Sequence, residues 1–110
     1  MKAKEVVKEL VSKYVKAKPE RISLKLDWDD NRSEISFYGK GLKEKVEYVQ
    51  TIDFTSFAHG AIEAYEEVYG ELQVVPISFR EEVYENDKVA LDLYPTGSAG
   101  IFDVYIKYRR

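Results

Sequence analysis

Gln73-Val74-Val75-Pro76-Ile77-Ser78-Phe79-Arg80-Glu81-Glu82-Val83-Tyr84-Glu85-Asn86-Asp87 is the stretch on which the strand count turns. Val74 to Ile77 has the β-branched content of a short edge strand, but Pro76 lacks the N–H that a ladder uses. Ser78 to Glu81 has the S-x-x-E form of a capping box, in which the serine hydroxyl and the glutamate carboxylate each satisfy a backbone N–H at a helix start. The spacing then predicts a short acidic helix from about Phe79 to Glu85, burying Phe79 and Val83.

On the C-terminal side of that stretch, Val89, Leu91 and Leu93 alternate with Lys88, Ala90 and Asp92, the period of a strand with one buried face. Pro95-Thr96-Gly97-Ser98-Ala99-Gly100 is a turn, and Ile101 to Tyr108 is a last strand showing Phe102, Val104, Ile106 and Tyr108 on one side. On the N-terminal side the period is 3.6. Phe54, Phe57, Ala58, Ala61, Ile62, Tyr65, Val68, Tyr69 and Leu72 form one apolar stripe, with Glu63, Glu66, Glu67 and Glu71 on or beside the opposite face. Thr55 or Ser56 can cap this helix, and Gly70 marks its weak end.

Further out, Val6, Val7, Leu10, Val11, Tyr14 and Val15 predict an amphipathic helix from residue 4 to about 17, stopped by Pro19. Ile22, Leu24, Leu26 and Trp28 then recur every second residue as a first strand. The turn residues Asp29-Asp30-Asn31-Arg32 lead into a second strand, Glu34 to Tyr38, with Ile35 and Phe37 inward. After a basic loop through Gly39, Lys40 and Gly41, Val46, Tyr48, Gln50 and Ile52 alternate with Glu47, Val49 and Thr51 as a third strand. The expected fold is α+β: one domain over residues 1–110, an antiparallel sheet of about five strands with helices packed on one face, in the order α-β-β-β-α-(α)-β-β.

A chain of 110 residues with 45% hydrophobic and 34% charged residues is an ordinary single globular domain. It has no Cys, so disulfides, thiolate metal sites and a cysteine nucleophile are excluded. No apolar run is long enough for a membrane span, and Met1-Lys2-Ala3-Lys4-Glu5 lacks the apolar core of a secretion signal. A cytoplasmic protein without membrane attachment is expected.

Charge is unevenly distributed. Residues 1–52 carry 12 Lys/Arg and 9 Asp/Glu, residues 53–92 carry 2 and 10, and residues 93–110 carry 3 and 1. The acidic middle can be a solvated face, or a surface that repels nucleic acid and steers a cationic protein toward itself. Lysines crowd the first helix, but Glu5 and Glu9 dilute them and the overall pI is near 5.3, so no nucleic-acid partner is expected.

Catalytic chemistry is thinly represented. The chain has one histidine and no nucleophile-elbow, Walker A, dinucleotide-binding or zinc-protease motif. His59 beside Gly60 reads as a packing or capping residue. Asp27, Asp29, Asp30 and Asn31 lack the glycine and terminal glutamate of a Ca²⁺ loop. Carboxylates that could do acid–base work are plentiful, yet a small sheet offers few walls for a cleft. No enzyme activity, cofactor or metal is expected. Nine tyrosines point instead to contacts, since Tyr joins a large apolar area to a polar tip. Tyr84 and Tyr94 are the interface candidates, whereas Tyr65 and Tyr69 fall on the core stripe.

Taken in order, the amphipathic first helix, the hairpin Ile22 to Trp28 with Glu34 to Tyr38, the helix end Tyr65-Glu66-Glu67-Val68-Tyr69-Gly70-Glu71-Leu72, the segment Phe79-Arg80-Glu81-Glu82 and the closing Phe102-Asp103-Val104-Tyr105-Ile106-Lys107-Tyr108 carry a likeness. The chain resembles the YezG-like immunity (antitoxin) family of bacterial polymorphic-toxin and type VII secretion systems. The likeness is spread over nearly the whole chain and rests on no single motif. It implies a protein that binds and blocks a cognate nuclease toxin, with no catalytic role for any residue.

The binding residues expected from the charge reading are Glu63, Glu66, Glu67, Glu71, Glu81, Glu82, Glu85 and Asp87, with Tyr84 and Tyr94 as aromatic anchors on a basic toxin surface. Two further expectations accompany it. One is a small-ligand or structural module with a pocket lined by Trp28, Phe37, Tyr48 and Phe102. The other is a homodimer formed by pairing an exposed terminal strand across a two-fold axis, an edge that Lys107, Arg109 and Arg110 could instead cap with charge.

Overall fold

The computed structural model describes residues 2–27, 32–42, 45–50, 52–78, 81–98 and 100–109. Helix α1 (Ala3–Val15) buries Val7, Val11 and Val15, the i, i+4, i+8 stripe of its sequence. Strands β1 (Arg21–Asp27), β2 (Arg32–Tyr38) and β3 (Lys45–Gln50) follow as an antiparallel meander. Helix α2 (Phe54–Tyr69) leads to four more strands, β4 (Gln73–Ser78), β5 (Glu81–Glu85), β6 (Val89–Pro95) and β7 (Ile101–Tyr108).

All seven strands form one sheet in the order β3-β2-β1-β7-β6-β5-β4, every neighbouring pair antiparallel. The chain thus leaves the sheet at one edge and re-enters at the other. Two edges separated by six interstrand spacings lie roughly 29 Å apart. At 16 residues, α2 is about 24 Å long, which is what a connection crossing the whole sheet requires. The apolar stripe of α2 is long because this helix is the crossover.

Both helices lie on one face. Ile22, Leu24 and Leu26 of β1, Ile35 and Phe37 of β2, Val104 and Ile106 of β7, and Val89, Leu91 and Leu93 of β6 point into a core completed by Phe57, Ala61, Ala64 and Tyr65. The helices cross at Gly60. A Cβ there would stand 2.8 Å from the Lys4 carbonyl oxygen and 2.9 Å from Val7 Cβ, so only glycine permits this approach. Among the described residues, no helix is long and apolar enough to cross a membrane.

The α+β class and the one-sided helix layer agree with expectation, but the sheet has seven strands rather than about five. The order is α-β-β-β-α-β-β-β-β, and the acidic helix expected from about Phe79 to Glu85 is absent: Glu81–Glu85 is a strand. A helix of that length is below the size at which nucleation is repaid, whereas β5 pairs with β4 on one side and β6 on the other. Val83 is buried as expected, though in a strand, and Phe79 lies outside the described residues. Pro76 is accommodated because β4 is an edge strand, with a shift of register between Pro76 and Ser78.

Four smaller expectations are also corrected. The cap of α2 is Asp53, whose carboxylate accepts from Ser56 N–H at 2.6 Å, and not Thr55 or Ser56. His59 is exposed, with no packing role. The C-terminal strand β7 sits in the middle of the sheet between β1 and β6, so it offers no edge for a homodimer. Phe37 is fully buried under the helices, while Tyr48, opposite Glu34, projects from the other face. Those two residues therefore share no pocket, and Trp28, like Asp29, Asp30 and Asn31, lies outside the described residues.

Candidate functional site

Helix α2 ends at Gly70, whose φ of 95° takes the chain out of the helix at no steric cost. The last carbonyls of a helix lack partners within it, and here a side chain from a remote turn supplies them. Asn86, between β5 and β6, donates from Nδ2 to the carbonyls of Tyr69 at 3.0 Å, Gly70 at 3.1 Å and Glu71 at 3.4 Å. Its Oδ1 accepts from the N–H groups of Lys88 at 2.7 Å and Val89 at 2.9 Å. Within the same turn, Glu66 accepts from Leu72 N–H at 3.3 Å.

This clamp gathers three of the expected acidic residues. Glu71, Glu85 and Asp87 line a cavity of about 290 Å³ together with Gln73, Val75, Asn86 and Arg109. Arg109 is ion-paired with Glu85. No ion pair involves Glu71 or Asp87 among the described residues, and both are exposed. The cavity is therefore anionic, with three carboxylates against one guanidinium.

The other expected residues are distributed differently. Glu63 and Glu67 face α1, where Lys4 lies 3.0 Å from Glu63 and Lys8 lies 2.6 Å from Glu67 and 3.9 Å from Glu63. The basic first helix thus neutralises much of the acidic second one. Glu81 stands in β5 opposite Ser78. Glu82 is exposed and accepts from the Tyr84 hydroxyl at 2.9 Å. Burial first, and then the Glu82 carboxylate, push the Tyr84 phenol up to about 12.

Tyr84 and Tyr94 do not share a surface. Tyr84 is opposite Leu91 and packs beside the core on the helix side, whereas Tyr94 is opposite Asp103 on the uncovered side. There Tyr94 meets the edge of Tyr105, ring centres 5.5 Å apart and planes at 89°. The pair lines a shallow depression of about 510 Å³ with Asp92, Pro95, Thr96, Asp103 and Lys107. Elsewhere on this face Arg21 stacks over Tyr38 at 4.0 Å and Arg32 over Tyr48 at 4.1 Å. Lys25 is opposite Glu34, and Asp27 opposite Arg32, so opposite charges alternate across β1 and β2.

Asn86, Gln73, Val75 and Arg109 were not among the expected site residues. Asn86-Asp87 between two apolar-alternating segments is a turn signal, but nothing local to it says that a helix end will be docked against it. Comparison of the chain with protein-family models, with curated proteins and with solved structures found no match.

Proposed function

We propose that this chain is a non-catalytic binding protein of the immunity (antitoxin) kind, acting in the bacterial cytoplasm to capture and block a basic toxin, a nuclease by the likeness noted above. The observation that carries the reading is the anionic end of the molecule, where Glu71, Glu85 and Asp87 outnumber Arg109 around one cavity. A nuclease groove is cationic because it holds phosphates, and carboxylates on a rigid support can occupy it in their place. Exposed Glu71 and Asp87 then govern the rate of encounter, and packed contacts around half-buried Tyr84 govern the lifetime of the complex. Glu63 and Glu67 contribute less, since Lys4 and Lys8 already pair with them.

The test is co-expression with the product of the adjacent gene, followed by a nucleic-acid degradation assay on the purified pair. The reading expects protection by the unmodified chain. It also expects association at low salt to slow by about tenfold in the Glu71→Lys, Asp87→Lys double variant, with an unchanged circular dichroism spectrum. Undiminished degradation in the presence of the unmodified chain overturns the reading. An unchanged association rate in the variant removes the anionic end from it.

A further inference from the structure

We infer that the β4 edge of the sheet is the docking strand for that partner: an extended basic segment of the partner pairs with Gln73–Val75 and directs a lysine or arginine side chain into the adjoining carboxylate-lined cavity. The inference rests on the proposed function and specifies how the anionic end is used.

A sheet edge exposes a row of unpaired N–H and C=O groups, and proteins guard such edges with charge, bulges, proline or a covering element. The two edges of this sheet are treated unequally. Edge strand β3 carries Lys45 and Glu47, and Glu47 is bound by Tyr14 and Lys13 of α1, which laps over that side. Edge strand β4 reads Gln-Val-Val-Pro-Ile-Ser and is the one strand of the seven without a charged residue. Its guards, Pro76 and the register shift between Pro76 and Ser78, protect only its second half. The first half is regular, with Gln73, Val74 and Val75 opposite Glu85, Tyr84 and Val83. Val74 is 56% exposed and Val75 37% exposed.

The period of a strand then dictates what fits. Gln73 and Val75 point to the side that lines the anionic cavity, and Val74 points to the side of Tyr84. A strand added along Gln73–Val75 places alternate side chains beside the carboxylates and the intervening ones beside Val74. The partner segment is therefore one in which basic and apolar residues alternate. A second copy of this chain is the other candidate for the edge. An antiparallel pair centred on Val74 would set Gln73 and Val75 of the second copy against Val75 and Gln73 of the first, so a second copy brings no cation to the carboxylates, whereas a basic segment does.

The full chain is titrated with an acetylated, amidated peptide of alternating valine and lysine, and binding is followed by peptide anisotropy and by backbone amide shifts. The amides of Gln73, Val74 and Val75 should move most. A peptide of the same composition with alternate backbone amides N-methylated should bind at least about tenfold more weakly, because it keeps the charge but cannot form the ladder. So should the valine–glutamate peptide. Val75→Lys, which puts a cation of its own in the cavity, should weaken the basic peptide by about the same factor and abolish protection in the degradation assay. Equal binding of the N-methylated peptide, shifts centred away from β4, or dimerisation of the chain through β4 in sedimentation each overturn the inference. Full protection by Val75→Lys overturns it too while leaving the proposed function standing; loss of protection by the unmodified chain is the outcome that removes the function itself.

Discussion

Asn86 Nδ2 lies 3.0 Å from the Tyr69 carbonyl, a contact between a hairpin turn and a helix end 17 residues earlier in the chain. It also reaches the carbonyls of Gly70 and Glu71, while Oδ1 holds two N–H groups of its own turn. One amide side chain thereby fixes the positions of Glu71, Glu85 and Asp87 relative to each other. Asn86→Ala removes all five contacts and should cost about 2 kcal/mol, given that the site is partly solvated. Asn86→Asp keeps the acceptor but sets a carboxylate against the negative end of α2, and should be at least as damaging. Urea denaturation of the two variants checks the order; an aspartate variant as stable as the parent would remove the donor contacts from the account.

Gly60 is where the two helices touch. Alanine gains about 1 kcal/mol of helix propensity over glycine, yet its methyl would stand 2.8 Å from the Lys4 carbonyl oxygen, a backbone atom with no room to retreat. Overpacking of this kind costs typically 1–3 kcal/mol, so once the propensity gain is subtracted Gly60→Ala should be net destabilised by up to about 2 kcal/mol. The expected signature is a lower urea midpoint with an unchanged slope.

How far the sequence anticipates this molecule depends on whether the deciding contact is local. Val7, Val11 and Val15 define α1, and Ile22, Leu24 and Leu26 define β1, because each pattern records burial within one element. The stretch from Gln73 to Glu85 is different. Val-Val-Pro-Ile has no alternation, and S-x-x-E imitates a helix start; the strands exist because β6 pairs with β5 and β5 with β4. Once β5 is assigned as a helix, the parity that sends Tyr84 and Tyr94 to opposite faces is lost as well. The charge pattern fails for a related reason. Composition shows an acidic helix and a basic helix, but only the Gly60 crossing sets Lys4 against Glu63 and Lys8 against Glu67.

Tyr65 is fully buried, and its hydroxyl, although it lies close to that of Tyr108, makes no hydrogen bond of ordinary geometry among the described residues. Burial holds the phenol far above its ordinary range. Its ring stacks on Tyr69 with centres 5.8 Å apart, and that contact survives in phenylalanine. An unpaired buried polar group costs on the order of 1–3 kcal/mol. Tyr65→Phe should therefore raise stability by about 1 kcal/mol and Tm by roughly 4 °C. A fall in Tm of that size would show that the hydroxyl is bonded.

Tyr14 and Glu47 tie α1 to the β3 edge, and the tie is sensitive to pH at both ends. The Tyr14 hydroxyl and then Lys13 hold the Glu47 carboxyl below the usual carboxylate range, while the Glu47 bond and then burial push the Tyr14 phenol up. A carboxylate with a lowered folded value stabilises fully above its unfolded value and less as pH falls through the folded one. A phenol with a raised value stabilises below about 10 and less as pH climbs past it. Glu47→Gln should cost about 1 kcal/mol at neutral pH, a difference that closes as pH falls below the ordinary carboxylate value of about 4.5 and through the lowered value of Glu47. Tyr14→Phe should cost a similar amount up to about pH 10 and progressively less above it. Denaturant midpoints of the three proteins across this range provide the check, and a Glu47→Gln difference that does not narrow on acidification would mean that the variant acts through packing and not through the charge.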